Sequence, residues 1–285
     1  MFRLINVEGR AALDHEGSWY DLAGLSGDPG LADPMAAVSR HGELHALQGE
    51  CGASAPGGPL DGTLLGPPVP RPNQVFGIGL NYRAHAAETG MAEPEAPLTF
   101  TKFPSCISGP SSDVALSGEA VDWEVELVVV IGGPTVGVSV EDAWGSVAGL
   151  TLGQDISDRL LQGAGDRPQF SLAKSFTGYG PTGPALVSPD AFDDPDDIGL
   201  WCEVSGERMQ DSRTDDLIFS VPVLISYLSS ICALDSGDLI FTGTPSGVGV
   251  ARNRFLAPGD TIVSGAEVIG GLRNACVAGT GPLQL

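Results

Sequence analysis

Glu124 and Glu126 stand one residue apart in a run, 122–131, that is otherwise almost wholly apolar. β-Branched and aliphatic residues dominate the run and Gly132, Gly133 and Pro134 stop it, so it reads as a β-strand. Alternate side chains of a strand share a face, which points the two glutamates the same way with Cα atoms roughly 6.5–7 Å apart. Val128 and Val130 continue that face, while Trp123, Val125, Leu127, Val129 and Ile131 line the other. A strand apolar on both faces is buried. Two carboxylates at its start repel each other and lose solvation unless a cation sits between them, which is the chemistry of a metal site. A second apolar strand, 147–154, ends in Asp155, the natural third oxygen ligand. The competing use of Asp155 is as a helix cap for the turn after Ile156, a task that Ser157 could take instead. Asp122 shares the glutamates' face, but nothing else in the sequence recruits it.

Other reactive residues are weaker taken singly. His85 and Glu88 lie three apart in an Ala-rich, helix-prone segment that Asn81 can cap, so they share a helix face. Such a pair is more often a surface contact than a catalytic dyad. A strand over 98–103 delivers Lys102, and a Gly/Pro/Asp loop precedes Lys174; a lone lysine is normally solvated. The segment 243–249 is a Gly-rich loop fed by a strand, whose backbone N–H groups suit an anion, but it lacks the lysine of a P-loop. His41 and His45 have helical metal-ligand spacing without a third ligand, and read as surface histidines.

The elements that must position these groups fall into two stretches. Residues 1–69 form a small N-terminal unit with short strands at 2–7 and 19–22, a hairpin turn at 14–17 and a weak helix over 33–47. A Pro/Gly-rich crossing ends it, and 70–285 form the larger domain. There the segment 178–184 reads as turns, 200–209 as a hairpin, 217–234 as a buried helix entered at Ser220, and 260–268 and 272–277 as the last strands. Residues 90–97 read as a loop able to cover whatever the histidine faces.

The formal net charge of −22, with only 14 Lys and Arg, argues against nucleic acid as a partner. It also repels an anionic substrate at long range, so such a site needs local positive charge. No apolar run reaches membrane-spanning length and the first residues do not read as a secretory signal, which makes the cytoplasm the expected compartment and excludes a membrane partner. Five scattered cysteines without a C-x-x-C pair read as free thiols.

Five separated motifs in order then give a resemblance. They are Gly79-Leu80-Asn81-Tyr82 with His85 and Glu88, the stretch Asp122-Trp123-Glu124-Val125-Glu126-Leu127, Asp155 with Ser157, Arg159 and Gln162, Lys174-Ser175-Phe176, and Thr242-Gly243-Thr244-Pro245 with Gly247-Val248-Gly249. From about Val75 to Val277 the chain resembles the fumarylacetoacetate hydrolase family, in its short bacterial, acylpyruvase-like branch. The resemblance implies an α+β, mainly β fold: a mixed β-sandwich roll with a small N-terminal α+β domain, often a homodimer. It implies a divalent metal, Mg²⁺ with Mn²⁺ or Ca²⁺ as alternatives, on Glu124, Glu126 and Asp155. His85 and Glu88 match a water-activating dyad on a lid, and Lys174 a lysine that stabilises developing negative charge. Arg159, Gln162 and Thr244 match substrate-contacting positions. The implied reaction is C–C hydrolysis of a small anionic diketo acid of the acylpyruvate or fumarylpyruvate type. Isomerisation of a hydroxyhepta-dienedioate or hydroxymuconate, oxaloacetate-type decarboxylation, and a metal-binding protein without turnover stand as alternatives. The segment 166–170 departs from the Trp-bearing version of many relatives, leaving substrate shape open.

Overall fold

The computed structural model describes residues 1–279. Its spine is a twelve-stranded mixed sheet. The acidic strand, Val125–Ile131, lies inside it, flanked by the antiparallel strands Val147–Gln154 and Leu239–Phe241. Beyond Leu239–Phe241 come the parallel strand Val75–Gly79 and then Leu98–Thr101 at the edge. On the other side, Val147–Gln154 pairs with Gly180–Val187, which pairs with the first strand of the chain, Arg3–Val7. A second, five-stranded sheet runs in the order Glu207–Arg213, Gly199–Val204, Thr261–Ala266, Gly270–Ala278 and Val114–Leu116.

The two faces of the acidic strand feed two different cores, which is why all seven of its residues are buried. Val125, Leu127, Val129 and Ile131 pack with residues of the five-stranded sheet such as Leu200, Ile262 and Leu272. Val128 and Val130 pack instead under the N-terminal helices, against Leu31, Val38 and Leu44. Period-2 alternation sends each set to its own layer. The glutamate face is therefore apolar along most of its length and turns acidic only at the strand's start.

Several elements differ from their sequence expectation for identifiable reasons. The helix expected over 217–234 is shorter, Val221–Ser229, with Ser220 at the cap position and Pro222 in the first turn. Its flanks are drawn off into single bridges, Leu217 to Tyr82 and Leu234 to Thr135. The Gly/Pro-rich segment 178–184 is mostly strand: Gly180–Val187 runs in the sheet, with Thr182 opposite Gly153. There Gly and Pro mark close packing and irregular register rather than turns. The N-terminal stretch carries a third strand, Arg10–His15, between Arg3–Val7 and Ser18–Asp21, and its weak helix is two, Pro34–Ser39 and His41–Glu50.

Candidate active site and metal centre

Glu124 lies just before the acidic strand and Glu126 within it. The pairing of Val125 with Gln154 brings the end of the neighbouring strand, and hence Asp155, alongside, and the Asp155 N–H donates to the Glu124 carbonyl at 2.8 Å. Carboxylate oxygens of Glu124, Glu126 and Asp155, all buried, lie within 4.8 Å of one another. Asp155 is not a helix cap. Asp158 does that work, accepting the Leu161 N–H at 3.0 Å at the head of the helix Arg159–Gln162.

Two buried lysines and the half-buried Arg159 meet these acids. Lys174 Nζ donates to Glu124 Oε2 at 2.6 Å, Asp155 Oδ2 at 2.7 Å and Ser157 Oγ at 2.7 Å, which commits all three of its protons. Lys102 Nζ donates to Asp155 Oδ1 at 2.6 Å and to the carbonyls of Lys174 and Tyr179. Arg159 reaches Glu124 Oε1 at 2.6 Å and Asp122 Oδ2 at 2.8 Å, and donates to Gln162 Oε1 at 2.9 Å. Burial pushes the Glu124 carboxyl up, but Lys174 and then Arg159 outweigh it and hold the group at about 2. Glu126 goes the other way: burial, then the charges of Asp155 and Glu124, push it well above its ordinary value. Its hydrogen-bond donor among the described residues is the Gly243 N–H at 2.8 Å, and no cation pairs with it there.

Asp122, unrecruited by sequence, is an organising residue. Fully buried, it accepts from the N–H groups of Gly249 at 2.6 Å and Val250 at 2.9 Å and from Arg159 Nε at 2.9 Å. It thereby joins the Gly-rich loop to the guanidinium that holds Glu124. The N–H groups of that loop serve the chain's own carboxylates: Gly243 serves Glu126, and Gly247 donates to both oxygens of Glu88, at 2.9 and 3.1 Å. Position 247 has φ +105°, and a Cβ there would stand 2.0 Å from the Met209 carbonyl oxygen, so only glycine fits.

His85 and Glu88 are on one helix, Arg83–Thr89, with His85 Nδ1 3.1 Å from Glu88 Oε2. The glutamate, fixed by Gly247, orients the ring. His85, Glu124, Glu126, Lys174, Arg159, Gln162 and Thr244 all line one cavity of about 600 Å³, so every site residue expected from sequence except Glu88 and the fully buried Asp155 forms its wall. Thr244 Oγ1 donates to the Val125 carbonyl at 2.9 Å and accepts from Gln210 at 2.8 Å. His41 and His45 stay apart from the site, beside the Val38 carbonyl and Asp190. All five cysteines are free.

Lys102 escaped the sequence reading of the site. The strand expected over 98–103 ends at Thr101, and Lys102 follows it directly; the signal available was adjacency to a segment of which Leu98, Thr99 and Phe100 line the cavity. Ser157, named from sequence as a motif position and an alternative cap, instead accepts from Lys174, a contact that no local pattern records.

The donor set fits a hard divalent cation. It is all oxygen, it converges, and it contains a buried carboxylate, Glu126, that no lysine or arginine contacts directly among the described residues and whose repulsion by Asp155 and Glu124 outweighs the pull of Lys174. No helix among the described residues is long and apolar enough to cross a membrane.

Comparison with known proteins agrees with the geometry. A family profile, the fumarylacetoacetate (FAA) hydrolase C-terminal domain, matches residues 74–277. The chain is 41% identical over 214 residues to a Bos taurus protein named oxaloacetate tautomerase FAHD2B, mitochondrial, covering 74% of this chain and 68% of that one. Among solved structures it is similar to a Mycobacterium smegmatis protein carrying the provisional name HpcE (46% identity, TM-score 0.89, 97% of this chain and 99% of that one). It is also similar to maleylpyruvate hydrolase from Sphingobium sp. SYK-6 solved with manganese(II) and pyruvate (27% identity, TM-score 0.81, 98% and 100% of the chains).

Proposed function

The chain belongs to the fumarylacetoacetate hydrolase family, and from that premise we propose that it is a divalent-metal-dependent hydrolase cleaving a C–C bond in a 2,4-dioxo acid. The observation that carries this reading is the shared cavity: Glu124 and Glu126, which converge with the buried Asp155, and His85, which Glu88 orients, line the same space. Glu124, Glu126 and Asp155 would hold the ion, with Mg²⁺ favoured by the oxygen-only set and Mn²⁺ by the similar maleylpyruvate hydrolase. When bound, the ion supplies Lewis-acid stabilisation of negative charge on the oxo-acid oxygens.

The chain's own residues do the rest. His85, held by Glu88 at Nδ1, presents its other ring nitrogen as a base and takes a proton from water. The hydroxide adds to the carbonyl distal to the carboxylate, and the C–C bond between that carbonyl and the methylene breaks. The bond's electron pair passes to the methylene carbon as the pyruvate enolate, which then takes up a proton. The balance is R–CO–CH₂–CO–COO⁻ plus water giving R–COOH and pyruvate. Lys174 and Arg159 set positive charge beside the oxo-acid end, against the field of a chain with net charge −22. The bovine relative's name favours a second reading, oxaloacetate tautomerisation, in which the same dyad moves a proton at carbon instead of activating water. We place the enzyme in the cytoplasm as a homodimer.

Replacement of His85 by Ala tests the catalytic assignment. The kcat for pyruvate release should fall by about 10²–10⁴-fold, the usual scale for a general base, while Mg²⁺ affinity by calorimetry stays unchanged. Equal turnover by wild type and variant would remove His85 from the chemistry.

A further inference from the structure

The cavity has two ends of opposite character. Glu124, Glu126, Lys174 and Arg159, buried or nearly so, form the inner end, while Met91, Leu98, Phe170 and Val250, with Phe100 stacked on Phe170, form the more exposed outer part. Met91, Leu98, Phe170 and Val250 are 57%, 48%, 39% and 47% exposed. A single exposed apolar side chain needs no explanation, but four around one opening mark a surface that something apolar covers.

The apolar wall begins at the reactive end. The Phe100 ring centroid is 5.2 Å from Lys174 Nζ and 5.7 Å from the Phe170 ring, with which it stacks at 28°. From lysine to Phe100 to Phe170, the lining passes directly from charge to aromatic face. The backbone makes room for this: a Cβ at Gly77 would stand 2.3 Å from Phe100 Cζ.

Positive charge is absent from that outer wall among the described residues. The Lys and Arg side chains in the lining are Lys174 and Arg159. Both are already paired, Lys174 with Glu124 and Asp155, Arg159 with Glu124 and Asp122. A second carboxylate at the far end of a substrate would lie against aromatic rings and aliphatic chains with no cation to pair it, and lose part of its hydration, inside a protein of net charge −22. An alkyl or aryl group would gain there what the carboxylate loses.

We propose that the site selects 2-oxo acids with one carboxylate and an apolar alkyl or aryl tail over dicarboxylates, with Phe100 and Phe170 as the residues that choose the tail. This rests on the oxo-acid reading of the inner end and specifies the substrate class for it.

The test uses binding, so it does not depend on turnover. Wild-type protein in Mg²⁺ is titrated calorimetrically with 2-oxo-4-phenylbutanoate and with 2-oxoglutarate, which share the oxo-acid head and differ in the tail. The phenyl probe should bind at least about tenfold tighter, the low end of what a hydrophobic pocket discriminates. Phe170→Arg, a change at a partly exposed position, should weaken the phenyl probe and strengthen 2-oxoglutarate until the preference reverses. Tighter binding of 2-oxoglutarate by wild type overturns the proposal. So does a Phe170→Arg variant whose preference is unchanged, and if that variant instead sediments as a smaller species, the rim is a face between copies of the chain. Failure of the hydrolase reading looks different: tight phenyl binding without pyruvate release from the matching acylpyruvate removes hydrolysis and leaves the tail selection standing. If neither probe binds, the oxo-acid reading fails and takes the tail selection with it.

Discussion

Replacing Glu126 by Gln should make the metal-free protein more stable while weakening its hold on a divalent ion. Glu126 is 2% exposed, and of the three converging carboxylates it is the one without a lysine or arginine partner among the described residues. Glutamine keeps its shape, can still accept the Gly243 N–H, and removes the repulsion from Asp155 and Glu124. The gain at pH 8 in EDTA should be about 1–3 kcal/mol, the scale of an unfavourably buried polar group. At about 2–4 °C per kcal/mol this is a rise of several degrees in Tm. Mg²⁺ affinity should drop by more than the roughly 10–100-fold typical of losing an outer-shell partner, since a whole charged ligand is gone. The pH dependence has a definite sign. Burial and neighbouring acids raise the folded carboxyl above its ordinary 4.5. As pH climbs from there, the folded state keeps a proton that the unfolded chain has lost, so metal-free stability falls. The variant should lack that slope. Scanning calorimetry in EDTA across pH, with Mg²⁺ titration of both proteins, decides the matter. A lower Tm in EDTA together with unchanged Mg²⁺ affinity would refute the reasoning.

The same raised carboxyl predicts that Mg²⁺ binding releases a proton and tightens as pH rises. Calorimetric enthalpies measured in buffers of different ionisation enthalpy should therefore differ, and identical values would count against a protonated Glu126. Asp122→Ala strips the acceptor from Gly249, Val250 and Arg159 Nε. It should cost about 3 kcal/mol in urea unfolding, the scale of a broken buried ion pair, while Mg²⁺ affinity falls less than in Glu126→Gln.

The pair of converging glutamates was legible because it is written in strand periodicity. Glu124 and Glu126 alternate with residues of a strand buried on both faces, so a period of two places them together, and Asp155, directly after the neighbouring strand, is brought alongside by the pairing of Val125 with Gln154. What was illegible depends on contacts between residues far apart in the chain. Asp122 meets Gly249 and Val250 across 127 and 128 residues, and Lys102 meets Asp155 across 53. No local pattern records such pairs. The Gly-rich loop was read correctly as a holder of anions, but the anions are the chain's own Glu88 and Glu126. The strand Gly180–Val187 was hidden by residues that normally signal turns. The segment 166–170, which left the substrate's shape open in the sequence, ends in Phe170, a wall of the cavity.

The most direct test of C–C hydrolysis follows both products of one reaction. Purified protein in Mg²⁺ is given an acylpyruvate with an apolar tail, and loss of the diketo acid's ultraviolet absorbance is recorded while pyruvate is assayed in the same samples. Hydrolysis predicts one pyruvate formed for each diketo acid consumed, with the matching carboxylic acid as co-product. Absorbance that changes enzymatically with no pyruvate appearing would contradict it and leave proton transfer at carbon as the activity of the site.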